Sequence, residues 1–440
     1  MIALQLFIFV ALIWLYGWQL LLLWPESDRA HPAVLAWALG GSAITLQLFI
    51  IKFILGWPLD WRCLVYLLVG MIALHCYHRL RHKQVWPKLQ LVRFSRLQWA
   101  LLIMISAIAS IQVVHVWATP IINFDAVADW ALRMKGLWFH QADLFNPTTW
   151  SHWQTLGKGN YPWHLSLLGW LLNFCTGAYQ ASWLNLIPWL YYVGLLGACY
   201  GLARERLDRS WSLGIVLMVA MMPLIAYHGS NYYADLPLTF YVAVILLVWR
   251  TWLSTQTDSS LWLTVIIGAL ALSLKIEALI IVGLIGALTM FKLWQRRAWS
   301  LLIKVVVVFG LLASPWYLWL WSHGLSLRNI APGLAWHGNA LKPIASSLFA
   351  SQNWHLWWYL VALALAFSFT KLWRQVVSRD SVILFALLFL VIVIIFTMTE
   401  AYVFALGNET LSRTLMWLVP VSVAVLSDAL AIIFSSNKNR

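Results

Sequence analysis

The chain has 440 residues, of which 62% are hydrophobic and 10% are charged. Soluble globular proteins carry about 25% charged residues. This composition excludes a cytosolic enzyme, a disordered chain, a secreted disulfide scaffold and a nucleic-acid-binding domain, although the formal net charge is +14. Continuous apolar runs, each about 15 to 20 residues long, instead predict an all-α, polytopic helical membrane protein.

Thirteen apolar runs between charged or Pro/Gly-rich breaks predict membrane-spanning helices. They cover residues 2–24, 33–56, 63–78, 97–117, 182–203, 211–227, 233–252, 260–274, 278–294, 299–321, 354–372, 381–398 and 415–434. The first run has no basic leader and no small-residue cleavage site, so we expect it to remain as a span. All four cysteines lie in apolar stretches and are expected to be buried free thiols. They are Cys63, Cys76, Cys175 and Cys199.

The apolar stretch 161–177 decides the orientation of the later spans, and it contains Pro162, His164 and Asn173. If it does not cross the membrane, nineteen Lys and Arg residues fall on one side and eight on the other. The positive-inside rule favours this arrangement. We therefore expect a short helix in the outer leaflet over 161–177, with the N-terminus of the chain outside and the C-terminus inside.

Acidic residues gather on the predicted outer side. Eight of the fifteen lie there, several at the mouths of spans: Asp60, Asp125, Asp129, Asp143, Asp235, Glu277, Glu400 and Glu409. No predicted span carries an acid at its centre. Because acids at membrane depth are costly and usually functional, this placement predicts a site at the outer surface.

The first long outer loop, 118–181, carries two acids four residues apart, Asp125 and Asp129. In a helix they share one face, which Arg133 extends by a turn. Apolar neighbours such as Trp130 would let this segment lie on the bilayer as an interfacial helix. Asp125 is the favoured functional residue, whereas Asp129 and Asp143 also fit solvated loop charges.

Two later segments place charged residues at the outer ends of spans. His228 and Tyr233 precede Asp235, which opens a span and could cap its helix, serve a site, or do both. Lys275 and Glu277 lie in a short outer turn. They fit either an ion pair that shapes the turn or, through Lys275, a contact with an anionic lipid headgroup.

Arg413 precedes the last span, and its planar guanidinium suits phosphate, although it could also be an interfacial anchor. A second outer loop, 322–353, offers further bases and histidines that could contact phosphate or sugar. They are His323, Arg328, His337, Lys342 and the nearby His355. Some of the 32 tryptophans could stack on sugar rings, among them Trp130, Trp153, Trp163 and Trp336. No HExxH or CxxC spacing occurs, so a zinc site is not predicted.

This layout resembles the GT-C superfamily of integral-membrane glycosyltransferases, in particular the branch of aminoarabinose transferases and protein mannosyltransferases. Four features over residues 97–300 carry the resemblance: Phe124-Asp125 at the start of an outer loop, the element Tyr161-Pro162-Trp163-His164, Tyr233-Ala234-Asp235 and Lys275-Ile276-Glu277. The chain departs from the family in two ways. Ala126 follows Asp125 where many members have Glu, so either Asp125 or Asp129 could be the base. Three extra spans precede the shared core.

The resemblance implies three regions: N-terminal extra spans over 1–96, a catalytic membrane core over 97–300, and C-terminal spans over 301–440. It also implies transfer of a sugar from a polyprenyl-phosphate donor to an acceptor hydroxyl, with inversion, in cell-envelope glycan biosynthesis. The acceptor would be a glycan, a lipid or a protein, and no nucleic acid is involved. The site would face the periplasm from a bacterial inner membrane.

The same resemblance implies roles for individual residues. Asp125 would be the catalytic base, and Arg413, with Lys275 as second choice, would bind the donor phosphate. Asp129, Asp235 and Glu277 would bind the acceptor or an optional Mg²⁺ or Mn²⁺ ion. Further substrate contacts would come from Trp163, His164, His228 and Tyr233. Two alternatives stay open: a flippase or transporter of lipid-linked sugar, and an O-antigen ligase or polymerase.

Overall fold

The computed structural model describes residues 2–24, 31–81, 93–139, 161–324 and 333–437. Within these ranges it has nineteen α-helices, short 3-10 and π-helical segments, and one isolated bridge between Leu334 and Thr399. The predicted all-α class is confirmed. Asp143, Trp153 and Arg328, which the sequence analysis singled out, lie outside the described residues.

The first half of the chain contributes nine of these helices. They are α1 (Ile2–Leu21), α2 (Pro32–Phe49), α3 (Trp61–Arg81), α4 (Arg96–Ala118), α5 (Leu132–Phe139), α6 (His164–Thr176), α7 (Leu186–Arg204), α8 (Arg209–Ala220) and α9 (Pro223–Gly229). A π-helical turn, Ile50–Ile54, extends α2, and another, Ala126–Ala131, leads into α5.

The second half contributes the other ten. They are α10 (Asp235–Thr255), α11 (Asp258–Ala271), α12 (Ala278–Gln295), α13 (Trp299–Ser322), α14 (Leu341–Phe349), α15 (Trp357–Arg374), α16 (Val376–Met398), α17 (Tyr402–Leu406), α18 (Glu409–Leu415) and α19 (Leu418–Asn437).

Each of the thirteen predicted spans contains a helix, but not all are equally suited to cross a membrane. By length and composition, ten helices of the described chain qualify, or eleven if α8 and α9, which are bent by 73°, form one broken span. Pro223, in the first turn of α9, lacks the N–H that would continue α8. The helix α11 has only 14 residues and ends before Lys275.

Helix α10 is the centre of the bundle, and nearly all of its side chains are buried. It packs against α7, α11 and α19. Its first residue is Asp235, so the most enclosed helix of the protein begins with a carboxylate. The packing of α10 against helices from both halves of the chain therefore determines what surrounds this acid.

The N-terminal helices pack closely on this core. A Cβ atom at Gly17 would lie 1.8 Å from the carbonyl oxygen of Ala36, so α1 and α2 approach as closely as only glycine allows. Both helices also contact α6. The division of the chain at residues 96 and 300 stays a prediction, since the packing is continuous across the first of these positions.

Helix α6 covers most of the stretch 161–177. It is a short helix, as predicted, and almost all of its residues are buried inside the protein. Its place in the outer leaflet stays a prediction. Trp130 and Leu137 of the first outer loop are also buried, not laid on the bilayer. Neighbouring helices cover these apolar faces because α5 and α6 pack against each other.

The cysteines differ in burial. All four are free thiols, as expected, and Cys63 and Cys199 are buried. Cys76 is exposed and Cys175 is partly exposed, so the prediction of burial was wrong for these two. The reason for Cys76 is that α3 has few side chains buried inside the protein.

A second charged cluster lies at the opposite end of α10 and corrects the statement that no span holds a central acid. Asp428 lies midway along α19 and is buried. Arg250, fifteen residues below Asp235, donates to both Asp428 oxygens at 3.0 Å and to Glu205 at 2.7 Å. At 1.5 Å per residue the two clusters are about 22 Å apart along α10.

Candidate active site

The first element of the site is an ion pair between the two halves of the chain. Asp125 comes immediately before the π-helical turn Ala126–Ala131, and π-helical turns often occur at functional sites. Arg413 lies on α18. Its Nη1 is 2.5 Å from Asp125 Oδ2, and its Nη2 donates to Thr410 Oγ1 at 3.3 Å. The pair is partly open, with the Asp125 side chain 22% exposed.

A second set of charges continues from this pair. Arg413 Nη1 is also 3.8 Å from Asp235 Oδ2, and Lys275 Nζ donates to Asp235 Oδ1 at 2.8 Å. Lys275 Nζ is 3.6 Å from Glu277 Oε1, which accepts the Tyr161 hydroxyl hydrogen bond at 3.0 Å. The structure thus brings the predicted Asp125, Asp235, Lys275, Glu277 and Arg413 into one continuous network.

Asp129 and Arg133 lie one turn further along the first loop. The Asp129 side chain is almost fully buried, and it lines the same space as Asp125, as the shared-face prediction requires. Arg133 is buried among three aromatic rings, and its Nη1 donates to the Tyr161 carbonyl at 2.6 Å. Burial lowers the pKa of Arg133 to about 10, and Asp129 opposes that change. Arg133 therefore carries its charge at neutral pH.

Electrostatics hold the other cations in their charged forms. Burial alone would lower the pKa of Lys275, but Asp235 and Glu277 outweigh it and raise the pKa above its ordinary value. The same balance, with Asp235 and Asp125 as partners, raises the pKa of Arg413. Burial and Glu277 raise the pKa of Tyr161, so its hydroxyl remains a donor.

Two cavities meet at the Asp125–Arg413 pair. The larger cavity, about 500 Å³, lies on the polar side and is lined by Asn123, Phe124, Asp125, Leu224, Tyr227, His228, Tyr233, Asn353, Gly407, Asn408, Ser412 and Arg413. The smaller cavity, about 170 Å³, is lined by Asp125, Asp129, Trp130, Tyr161, Asp235, Lys275, Glu277, Ile280, Ile395, Phe396, Ala401, Phe404, Thr410, Arg413, Thr414 and Trp417. Asp125 and Arg413 therefore separate two compartments of different chemistry.

The predicted substrate contacts divide into two groups. His228 and Tyr233 line the larger cavity, and the Arg413 guanidinium lies 5.3 Å from the centre of the Tyr233 ring. Trp163 and His164 line neither of the two cavities. His164 is buried, with Nδ1 2.7 Å from Thr45 Oγ1 and Nε2 2.8 Å from Tyr191 OH. Its ring nitrogens are therefore occupied by the protein, and the structure does not place His164 as a substrate contact.

The sequence analysis missed several polar residues of the larger cavity. Asn123, Tyr227, Asn353 and Asn408 come from four separate segments. Asn123 and Asn408 lie close in sequence to Asp125 and Arg413, and this closeness was an available signal. Asn353 ends the second outer loop, 322–353, which was expected to contact phosphate or sugar only through its bases and histidines.

An Mg²⁺ or Mn²⁺ ion would need several oxygen ligands in the site. Within the described ranges, no three His, Cys, Asp or Glu side chains lie close enough to hold a metal ion. Both Asp235 oxygens face cations, Lys275 and Arg413, and Asp125 faces Arg413. Carboxylates neutralised in this way do not fit a divalent-cation site, so no step is assigned to a metal.

The described part of the chain is an all-helical bundle with a charged site at one end of α10. Among solved structures, the chain matches ArnT from Cupriavidus metallidurans, an aminoarabinose transferase and GT-C glycosyltransferase, in its apo state. The TM-score is 0.50 at 13% sequence identity over 76% of this chain. This match confirms the predicted fold.

The chain spans 60% of the ArnT structure that it matches. No family model matches the sequence. No curated protein matches it either. The similarity therefore concerns the fold alone.

Proposed function

We propose that this protein is a membrane glycosyltransferase that moves a sugar from a polyprenyl-phosphate donor to an acceptor hydroxyl, with inversion at the anomeric carbon. One observation carries the proposal. A partly exposed carboxylate, Asp125, lies where two cavities meet, against an arginine that can bind phosphate, in a GT-C-like fold.

The smaller cavity suits the donor. Lys275 and Arg413 supply two cations for a phosphate group, and Arg donates two parallel hydrogen bonds to phosphate oxygens. Apolar side chains, including Ile395, Phe396 and Phe404, line the rest of this cavity. Phe404 is half exposed, so an isoprenoid chain could leave the cavity past its ring towards lipid.

Asp125 is the better candidate for the base. It lines both cavities, so it can contact an acceptor hydroxyl on one side and a sugar on the other. Asp129 lines the smaller cavity, is 5% exposed and lies near the buried cation Arg133. These differences support Asp125 as the base in the reaction. They support Asp129 as a residue that holds Arg133 in position.

The proposed reaction needs one proton acceptor and one stabilised leaving group. Asp125 accepts the proton from the acceptor hydroxyl as the oxygen forms a bond to the anomeric carbon. The bond from that carbon to the phosphate oxygen breaks, and its electron pair leaves with the polyprenyl phosphate. Arg413 and Lys275 stabilise the negative charge of the leaving phosphate.

Charge distribution supports a site on the extracytoplasmic face. The network of Asp125, Asp235 and Lys275 lies at one end of α10, whereas Arg206 and Arg250 lie near the other. Basic residues concentrate on the cytoplasmic side of membrane proteins. In a bacterial cell the site would then face the periplasm from the inner membrane. Reporter fusions at residues 140 and 206 should report opposite sides.

The test of the proposed function is the Asp125→Asn variant, assayed in membranes for transfer of a radiolabelled sugar from polyprenyl phosphate. Loss of a general base lowers the rate by about 10²–10⁴-fold. We expect a loss in that range, and Asp129→Asn as the matched control should retain more activity. Near-normal transfer by Asp125→Asn would remove it from the mechanism. Sugar that crosses the membrane without release of polyprenyl phosphate would instead indicate a transporter.

A further inference from the structure

The larger cavity has an unusual lining for a site beside an ion pair. Three amides, Asn123, Asn353 and Asn408, share it with a serine hydroxyl, two phenols and an imidazole. All of these groups are neutral in their ordinary protonation state, and each can donate or accept hydrogen bonds. Such a set matches a ligand that carries several hydroxyl groups.

The amides are already oriented by hydrogen bonds within the protein. Tyr227 OH donates to Asn123 Oδ1 at 2.7 Å, and Asn123 Nδ2 donates to Asn231 Oδ1. On the other side, Asn353 Nδ2 donates to Ser412 Oγ at 3.2 Å. Fixed amides lose little freedom when a ligand binds, because they are held before it arrives.

Two residues that line the cavity, His228 and Arg413, each carry a buried side-chain nitrogen without a hydrogen-bond partner among the described residues, and the neutral one is His228. His228 is 1% exposed, and its Nδ1 has no hydrogen-bond partner among the described residues. Most buried polar atoms in proteins are hydrogen-bonded. Because the His228 residue lines the cavity, a ligand that reaches its ring could supply the missing partner. His228 also lies in the electric field of four charged side chains, those of Asp235, Arg413, Lys275 and Asp125. A neutral hydroxyl can pair with this nitrogen without adding to those charges.

The charges of the larger cavity disfavour a phosphorylated acceptor. Among the described residues that line it, Asp125 and Arg413 are the charged ones, and they form an ion pair with each other. Aromatic faces are also available: Phe124 is 82% exposed and Tyr227 is 44% exposed. Aromatic rings of this kind can pack on the apolar faces of sugar rings.

We propose that the larger cavity binds the acceptor, and that the acceptor is a neutral carbohydrate whose hydroxyl groups pair with His228, Asn353 and Asn408. This inference rests on the proposed function, because it assumes that a sugar is transferred at Asp125. Of the three possible acceptors, a glycan, a lipid or a protein, the inference selects the glycan.

The experiment compares glycans, lipids and proteins, by mass spectrometry, from cells with and without the full-length protein. Glycan chains that lack one sugar in the deletion cells are the expected result. A lipid or a protein that loses the sugar instead would overturn the carbohydrate acceptor and keep the proposed function. No loss in any fraction would overturn the proposed function as well.

Variants then test the cavity itself. His228→Phe and Asn353→Leu should each lower the glycan product about tenfold, the effect of one lost hydrogen bond to a ligand. The lipid-linked donor should accumulate in both. His115→Phe is the matched control, because His115 is exposed at the end of α4 and lines neither cavity.

Binding and chemistry are separated by the rate of transfer at increasing concentrations of the glycan identified in the deletion cells. His228→Phe and Asn353→Leu should raise the KM for this glycan about tenfold, and saturating glycan should restore most of the rate, whereas Asp125→Asn should stay slow at every concentration. Normal levels of glycan product in both cavity variants would overturn the assignment. A rate that stays low at saturating glycan would also count against it, because the two side chains would then support the catalytic centre.

Discussion

Replacing Lys275 with Met tests whether the buried charges depend on one another. Lys275 Nζ lies 2.8 Å from Asp235 Oδ1, and the two side chains are 11% and 3% exposed. At an effective dielectric constant of about 20, the gross attraction is about 6 kcal/mol. Breaking a buried pair usually costs about 3–5 kcal/mol, because one charge is left without its partner.

The cost for Lys275→Met should fall at the lower end of this range. Arg413 remains 3.8 Å from Asp235, where its gross attraction is about 4 kcal/mol on the same scale. We therefore expect a loss of about 3 kcal/mol in the free energy of unfolding. In the double variant with Asp235→Asn, the loss should be smaller than the sum of the two single losses, because both charges are gone.

The assay is thermal unfolding of the purified protein in detergent, followed by tryptophan fluorescence. Lys342→Met is the control, because Lys342 is exposed on α14 and surface substitutions usually change stability by less than about 0.5 kcal/mol. Sugar transfer should stay low in the double variant even if its free energy of unfolding exceeds that of Lys275→Met, because the donor phosphate has lost a cation. A Lys275→Met protein as stable as the Lys342→Met protein, or strictly additive losses, would refute the reasoning.

Three further predictions concern the site and the opposite cluster. Arg413→Gln should lower sugar transfer by about 10²–10³-fold, because the charge that stabilises the leaving phosphate is lost. Arg413→Lys should recover part of the transfer, since it restores the charge without the planar guanidinium. Equal activities in the two variants would contradict this prediction. Transfer in membranes should survive EDTA, because the carboxylates of the site face Lys and Arg; loss with EDTA and recovery with Mg²⁺ would restore the metal hypothesis. Asp428→Asn should cost about 3 kcal/mol of stability, measured by the same unfolding assay, yet leave transfer per folded molecule unchanged.

Much of the site was predictable because only residues on the same side of the membrane can come together in one site. Asp125, Asp235, Lys275 and Arg413 all belong to segments at the predicted outer ends of spans, and the structure joins them in one network. The orientation came from the Lys and Arg distribution, which is a property of whole segments. Errors of a few residues at helix ends therefore did not disturb it.

The pairing within the site was not predictable in the same way. Asp125 and Arg413 are 288 residues apart in sequence, and nothing local to either residue selects the other. His164 shows the converse limit. It follows a Tyr-Pro element near the outer side, but its partners Thr45 and Tyr191 come from α2 and α7, and their hydrogen bonds turn it into a packing residue.

Asp428 shows a similar limit within a span. Most residues of α19 are apolar, so the high mean hydropathy of the segment gave no sign of a buried acid. Its partner Arg250 lies near the end of the predicted span 233–252, and in the structure its side chain is fully buried. Arg250 on α10 and Asp428 on α19 neutralise each other, and this ion pair can be seen only when the two helices are packed together.

The contact between Asp125 and Arg413 also orders the proposed reaction. Arg413 Nη1 contacts Asp125 Oδ2, so the carboxylate faces the guanidinium while the pair is intact. A donor phosphate in the smaller cavity would compete for the Arg413 hydrogen bonds and leave the Asp125 carboxylate free to face an acceptor hydroxyl. An acceptor that arrived first would meet a carboxylate still held by Arg413, so the donor is expected to bind before the acceptor.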